Sequence, residues 1–200
     1  MDLFVYILLG LTSVTALGII LWRAWALRWN NVVPTLIVGA LAECRTPKDV
    51  PTLRHLCEAQ PSSLGRLLLL ASNRLDWPKA ENVGSLETAA RHEIIKLERG
   101  LFVLEIIVGI APLLGLVGTI IGMISVFGDL GQTGLNNMND ASKLAMGISL
   151  ILRTTLIGLL ISIPALVAWN YFTKKVEVIA VELETLCDEF IRQQYHDKKP

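Results

Sequence analysis

Residues 106–128 read IIVGIAPLLGLVGTIIGMISVFG, with no acidic, basic or histidine side chain anywhere in the stretch. A bilayer's hydrocarbon core, about 30 Å thick, is crossed by about 20 apolar residues in a helix, so this segment reads as a membrane span. Two other runs have the same character. Leu3 to Trp22 carries no Asp, Glu, Lys, Arg or His, and Leu144 to Thr173 carries one charged residue, Arg153. The 200-residue chain is 52% apolar and 18% charged, against roughly a quarter charged in soluble domains. Helices of a soluble core rarely run so far without a charge, so three spans are expected. The first run could serve as a signal peptide, but Met1-Asp2 supplies no basic n-region. Trp22-Arg23-Ala24-Trp25 is not a small-residue cleavage site. It is read as a retained span.

The formal net charge is zero, and its distribution sets the expected topology. Lys and Arg crowd the segment between spans 1 and 2, from Arg23 through Arg45 and Lys48 to Arg99. They return after span 3 at Lys174, Lys175, Arg192, Lys198 and Lys199. The connection from Asp129 to Ser142 has none. Basic loops stay in the cytoplasm, which predicts a multi-pass protein with its N-terminus outside and its C-terminus inside. Trp22, Trp25 and Trp29 beside Arg23 and Arg28 read as an interfacial anchor. Basic residues are scattered and matched by acids, so no nucleic-acid partner is expected. Cys44, Cys57 and Cys187 are too widely spaced for a metal site and read as reduced thiols.

The expected organisation is a first span and anchor over 1–29, a cytoplasmic helical region over 30–100, a second span over 101–128, a periplasmic loop over 129–142, a third span over 143–173 and a cytoplasmic helical tail over 174–200. Short helices are predicted at Val33–Cys44, after Asp49 and Pro51, and from Leu64 to Ala71. Thr46-Pro47, Pro61-Ser62 and Trp77-Pro78 act as breakers. From about Glu81 the stripe Leu86, Ala90, Ile94, Leu97, Leu101 predicts a helix continuing into span 2, interrupted only by Gly100. Past span 3, Val176, Ile179, Leu183, Leu186 and Phe190 extend one helix to about 50 residues. The fold class is all-α, with spans 2 and 3 extended into a helical cytoplasmic domain.

No catalytic set is visible. His55, His92 and His196 are scattered, and there is no phosphate loop, Cys-x-x-Cys pair or nucleophile elbow. An enzyme, a metal and a cofactor are not expected. The spans carry more information. Ala111, Gly115, Gly118 and Gly122 repeat at three and four residues, a spacing that lets helix backbones approach closely. Gly158 and Pro164 add similar punctuation to span 3, and Pro112 predicts a kink in span 2. Thr119 can satisfy its hydroxyl on its own helix. Span 3 also holds Thr154, Thr155 and Ser162, with Thr155 and Ser162 seven apart on one face. Thr119 and Thr155 are expected at similar depth near the midplane, where such hydroxyls suit a pore or a binding surface for another helix.

The stretches LERGLFVLEIIVGIAPLLGLVGTIIGM (97–123) and GISLILRTTLIGLLISIPALVAWNYF (147–172) resemble the ExbB/TolQ/MotA family, stator subunits of proton-driven motors, and most nearly its ExbB/TolQ branch. The resemblance covers about 97–127 and 146–172. It implies a pentamer in the bacterial inner membrane whose pore, lined by spans 2 and 3, encloses single-span helices of an ExbD/TolR-like partner bearing a protonatable aspartate. Thr119 and Thr155 match the family's pore threonines. The motor would drive a TonB-like or TolA-like protein and energise TonB-dependent outer-membrane transport. Alternatives are a TolQ-like envelope or gliding motor subunit and a non-conducting membrane scaffold.

Two positions depart from the family pattern. Leu150 stands where many relatives carry glutamate, leaving the partner's aspartate as the expected titrating group. Arg153 is charged where many relatives are apolar. It lies about 200° from Thr155 around the helix. An interface role, reaching toward Asp129 or Asp140, and a gating role both remain open. Glu105 is read either at the pore's cytoplasmic exit or in the headgroup zone.

Overall fold

The structure is a computed structural model that describes residues 2–44, 49–133 and 138–196. The expected breaker Thr46-Pro47, the basic residues Arg45 and Lys48, and Lys198 and Lys199 lie outside the described residues, as do the side chains of Asp129, Asp140 and His196. The described residues form helices and no strand. These are α1 (Asp2–Ala26), α2 (Trp29–Val32), α3 (Thr35–Glu43), α4 (Val50–Ala59), α5 (Ser63–Asn73), α6 (Lys79–Glu98), α7 (Leu101–Thr133) and α8 (Met138–His196). Three are long and apolar enough to cross a membrane, with qualifying stretches at Phe4–Ala26, Leu101–Gly128 and Leu144–Tyr195. α8 runs for 59 residues, so the sequence's stripe past span 3 does extend one helix. No proline falls between 129 and 142, and helix occupies 129–133 and 138–142 of that stretch.

One expectation is corrected. The chain does not run as a single helix from α6 into α7. α6 ends at Glu98, and Gly100 adopts φ 91°, a left-handed conformation open chiefly to glycine. The single glycine in an otherwise helical pattern is a stop followed by a fresh start. The Leu104 amide picks up the Gly100 carbonyl at 3.4 Å to begin the next helix.

The fold divides into two compact units. The first holds the chain up to Trp22 and Gly100–Tyr171; the second holds Arg23–Arg99 and the chain from Phe172 onward. In the second unit the short helices bury Ile37, Leu41, Leu53, Leu64, Leu67, Leu68 and Ala71. The α8 stripe Val176, Ile179, Leu183, Leu186 and Phe190 is buried in full. Ser62 caps α5, its hydroxyl accepting from the Gly65 amide at 3.0 Å. Asp49 occupies the cap position of α4 without a side-chain capping bond. Tyr195 fixes the last turn of α8: its hydroxyl donates to the Trp77 carbonyl at 2.9 Å and accepts from Asn82 at 3.2 Å.

The α6 stripe departs from the expected one after Ala90. Leu86, Ala90 and Glu93 are buried, while Ile94 and Leu97 are half-buried. Glu93 is tolerated there because Arg66 and Lys96 both pair with it. Burial pushes its carboxyl up, but the bonds from Arg66, Lys96 and Ser63 outweigh burial and hold it at about 2.

Candidate functional site: the seam between α7 and α8

Within the first unit, α7 and α8 run antiparallel, and their small residues set the register. A Cβ built on Gly158 would lie 2.5 Å from the Ala111 carbonyl oxygen, and one on Gly115 would lie 2.9 Å from the Thr155 Cα. Further along, Gly122 faces Ile151 and Gly147 faces Val126. These contacts are backbone against backbone near the middle of the seam, the close approach that small residues permit.

Pro112 sits inside α7 without ending it. Proline lacks the amide hydrogen that would serve the carbonyl four residues back, and that carbonyl belongs to Val108. Ser162 of α8 donates its hydroxyl to it at 2.9 Å. The serine thus restores across the seam what the proline removes within the helix, the kind of compensation that lets proline persist in a membrane helix.

The threonines divide into two kinds. Thr154 is buried, and its hydroxyl lies 2.7 Å from the Ile151 carbonyl and 3.3 Å from that of Gly115. Like Ser162, it faces the partner helix of its own chain. Thr155 is half-buried and donates to the Gly115 carbonyl at 3.3 Å. Thr119 is half-buried and donates to the Leu116 carbonyl at 2.6 Å. It borders an open apolar depression of about 610 Å³ shared with Ile120, Met123, Ile124 and Phe127. Since Thr155 bonds to Gly115, one turn from Thr119, the two hydroxyls stand within about 6 Å of each other in height.

The first span fixes which flank those threonines occupy. Val5 of α1 approaches Gly118, and α1 lines a groove with Ile157, Leu160 and Pro164 of α8. At 100° per residue, Thr119 and Thr155 both fall on the flank of the seam opposite α1. Glu105 is exposed and sits 14 residues before Thr119, about 21 Å along α7 and some 40° around it. Arg153 is exposed on the α1 side of α8. Among the described residues it has no hydrogen-bond or ion-pair partner.

The seam's hydroxyls were visible in the sequence; the Val108 carbonyl as the acceptor for Ser162 was not, because it requires the inter-helix register. The Arg66–Glu93–Lys96 cluster was also missed. Its signal was present, since Glu93 falls three residues after Ala90, on the stripe that also carries Asn82, Leu86 and Ala90. The three cysteines are free and buried. Burial, with Glu58 adding to it, pushes the Cys57 thiol up to about 11, so it stays protonated at neutral pH. Among the described residues no three His, Cys, Asp or Glu side chains group to hold a metal.

Comparison with known proteins matches residues 70–185 to the model of the MotA/TolQ/ExbB proton channel family. The chain is 32% identical over 151 residues to the biopolymer transport protein ExbB-like 1 of Synechocystis sp., covering 74% of this chain and 57% of the relative. It is 36% identical over 86 residues to the biopolymer transport protein ExbB of Helicobacter pylori, covering 43% of this chain and 57% of that protein. A third similarity, to ExbB-like 3 of Synechocystis sp., is 29% identical over 200 aligned residues, with 93% of this chain and 89% of the relative covered. The chain thus spans a little over half the length of the first two relatives and most of the third.

Proposed function

The chain belongs to the MotA/TolQ/ExbB proton channel family, and from that premise we propose that it is an ExbB-like stator subunit of a motor driven by the proton-motive force. In this reading five copies surround an axis in the bacterial inner membrane, N-terminus periplasmic and C-terminus cytoplasmic. The flank bearing Thr119 and Thr155 faces inward. It meets single-span helices of an ExbD/TolR-like protein, whose aspartate exchanges protons as it passes. The motor then drives a TonB-like or TolA-like protein that reaches the outer membrane.

The observation that carries the reading is the shared flank of Thr119 and Thr155, opposite α1. A ring built with α1 outermost presents both hydroxyls to the axis at one height. Thr119 donates within its own helix and Thr155 donates across the seam to Gly115, and each keeps its lone pairs available to a protonated carboxyl. The apolar depression beside Thr119 suits a helix laid against it. Thr154 and Ser162, bonded between α7 and α8, would hold the wall rather than line it. Glu105, exposed and near the α7 face of Thr119, would stand toward the cytoplasmic exit. Leu150 cannot take up a proton, so the partner's carboxylate is the titrating group of the pathway.

Thr119→Val and Thr155→Val test the reading, because they keep shape and remove the hydroxyl. In vesicles holding this chain with its partner, each should abolish proton-driven function while assembly survives. Unchanged activity in both variants would remove the pore assignment. It would favour a scaffold role, which the local satisfaction of both hydroxyls also fits.

A further inference from the structure

Arg153 is an exposed guanidinium on a membrane helix with no ionic partner among the described residues, and its surroundings are apolar. Leu152 and Leu156 beside it are exposed. An intramembrane arginine requires an anion or the headgroup layer. Its height along α8 indicates which. The exposed aromatics Trp22 and Tyr171 close the first unit at one end, as interfacial anchors do. Arg153 lies 18 residues from Tyr171, about 27 Å at 1.5 Å per residue. The apolar stretch begins at Leu144, nine residues or about 14 Å beyond it, so Arg153 sits in the far half of the span, from which a long side chain extends toward the headgroups.

Directly along the helix from Arg153, on the same stripe, lie Ile157, Leu160 and Pro164 at four, seven and eleven residues. These three form one wall of a groove of about 460 Å³; Tyr6, Gly10 and Ser13 of α1 belong to the other wall. The groove is elongated, largely apolar and open to the surroundings of α1. A cation at its far end and an apolar trough leading inward match an amphiphile with an anionic head and hydrocarbon chains.

We propose that Arg153 and the α1/α8 groove form a binding site for an anionic phospholipid, its phosphate on the guanidinium and an acyl chain along Ile157, Leu160 and Pro164. The site rests on the membrane-spanning reading of these helices. The proposed topology determines only the leaflet, which is the periplasmic one. It lies on the flank opposite Thr119 and Thr155, so the lipid would sit outside the proton pathway.

The test is native mass spectrometry of the full-length protein in mild detergent, incubated with equal amounts of phosphatidylglycerol and phosphatidylcholine. The wild type should retain phosphatidylglycerol preferentially. Arg153→Gln should lower that retention about ten-fold, the scale of one lost charge-assisted contact, and Arg153→Lys should keep most of it. Gly10→Leu would fill the groove from a position where an added Cβ meets nothing within 4 Å. It should weaken retention of both lipids with the charge intact. Three results would overturn the proposal. One is equal retention of both lipids by wild type and Arg153→Gln. Another is complete displacement by inorganic phosphate, which would show a phosphate site that ignores the groove. The third is an Arg153→Gln protein that keeps phosphatidylglycerol but falls apart into single copies, which would assign the guanidinium to a neighbouring copy. None of these readouts depends on proton conduction, so this proposal and the motor reading can fail separately.

Discussion

The hydroxyl of Ser162 lies 2.9 Å from the carbonyl oxygen of Val108, the carbonyl that Pro112 leaves without its helical donor. The pairing explains how α7 tolerates a proline without ending, and it ties α7 to α8 within the seam. An unsatisfied carbonyl in hydrocarbon is costly, so the two residues are energetically coupled although they sit on different helices.

That coupling is measurable. Ser162→Ala should destabilise the protein by about 1 kcal/mol, the scale of inter-helix hydrogen bonds in membranes. In a Pro112→Ala background the new backbone amide hydrogen supplies the Val108 carbonyl from within α7, and the same serine substitution should cost much less. Reversible unfolding of the four proteins in bicelles gives the cycle. Strict additivity of the two changes would show that the serine does not compensate the proline.

The seam glycines should respond according to what their missing Cβ would meet. Gly115 and Gly158 face backbone atoms at 2.9 Å and 2.5 Å, which cannot rotate aside. Gly115→Ala and Gly158→Ala should each separate α7 from α8 and cost about 1–3 kcal/mol, the range for overpacking. Gly109, in the same span, has nothing within 4 Å, and Gly109→Ala should be neutral or mildly stabilising. Comparable losses at all three positions would show that helix propensity, not the seam, decides.

Much of this was legible beforehand, for identifiable reasons. Runs of about 20 residues or more with at most one charge read as membrane helices, and the stripe from Val176 to Phe190 has a single period, so the spans and the long α8 followed from pattern alone. The glycines at 115, 118 and 122 announced a close contact, but not with what. The register that brings Gly158 to Ala111 and Ser162 to Val108 depends on tertiary packing. Gly100 was ambiguous in the same way, since a lone glycine within a helical pattern is compatible with either a continuous helix or a stop, and only φ decides. Glu93's place on the buried stripe was readable, but its partner was not, because Arg66 lies 27 residues away in sequence, on α5.

Glu93 gives the second unit an acid-sensitive fastening. Its carboxyl ordinarily titrates at 4.5 and is held at about 2 here. Because the folded value is depressed, the stabilisation is present above about pH 4.5 and is lost as the pH falls toward 2. Melting temperatures of the wild type should therefore drop as the pH is lowered through that window. Glu93→Gln should be less stable at neutral pH and should show a shallower acid-induced drop. Parallel curves for the two proteins would show that other carboxylates dominate the acid response.

Gly100 offers a prediction with opposite signs at two glycines. At φ 91° an L side chain crowds the following carbonyl, so Gly100→Ala should cost about 1–2 kcal/mol. Gly100→Asn should cost less, because asparagine enters left-handed conformations more readily. Gly84 lies within α6, away from any neighbour a Cβ would meet. There Gly84→Ala removes backbone entropy from the unfolded chain and should stabilise by about 0.5–1 kcal/mol. Denaturant unfolding of the three variants separates the effects. If Gly100→Ala stabilised as Gly84→Ala does, the left-handed turn would not be the conformation that ends α6, and a continuous helix into α7 would have to be restored.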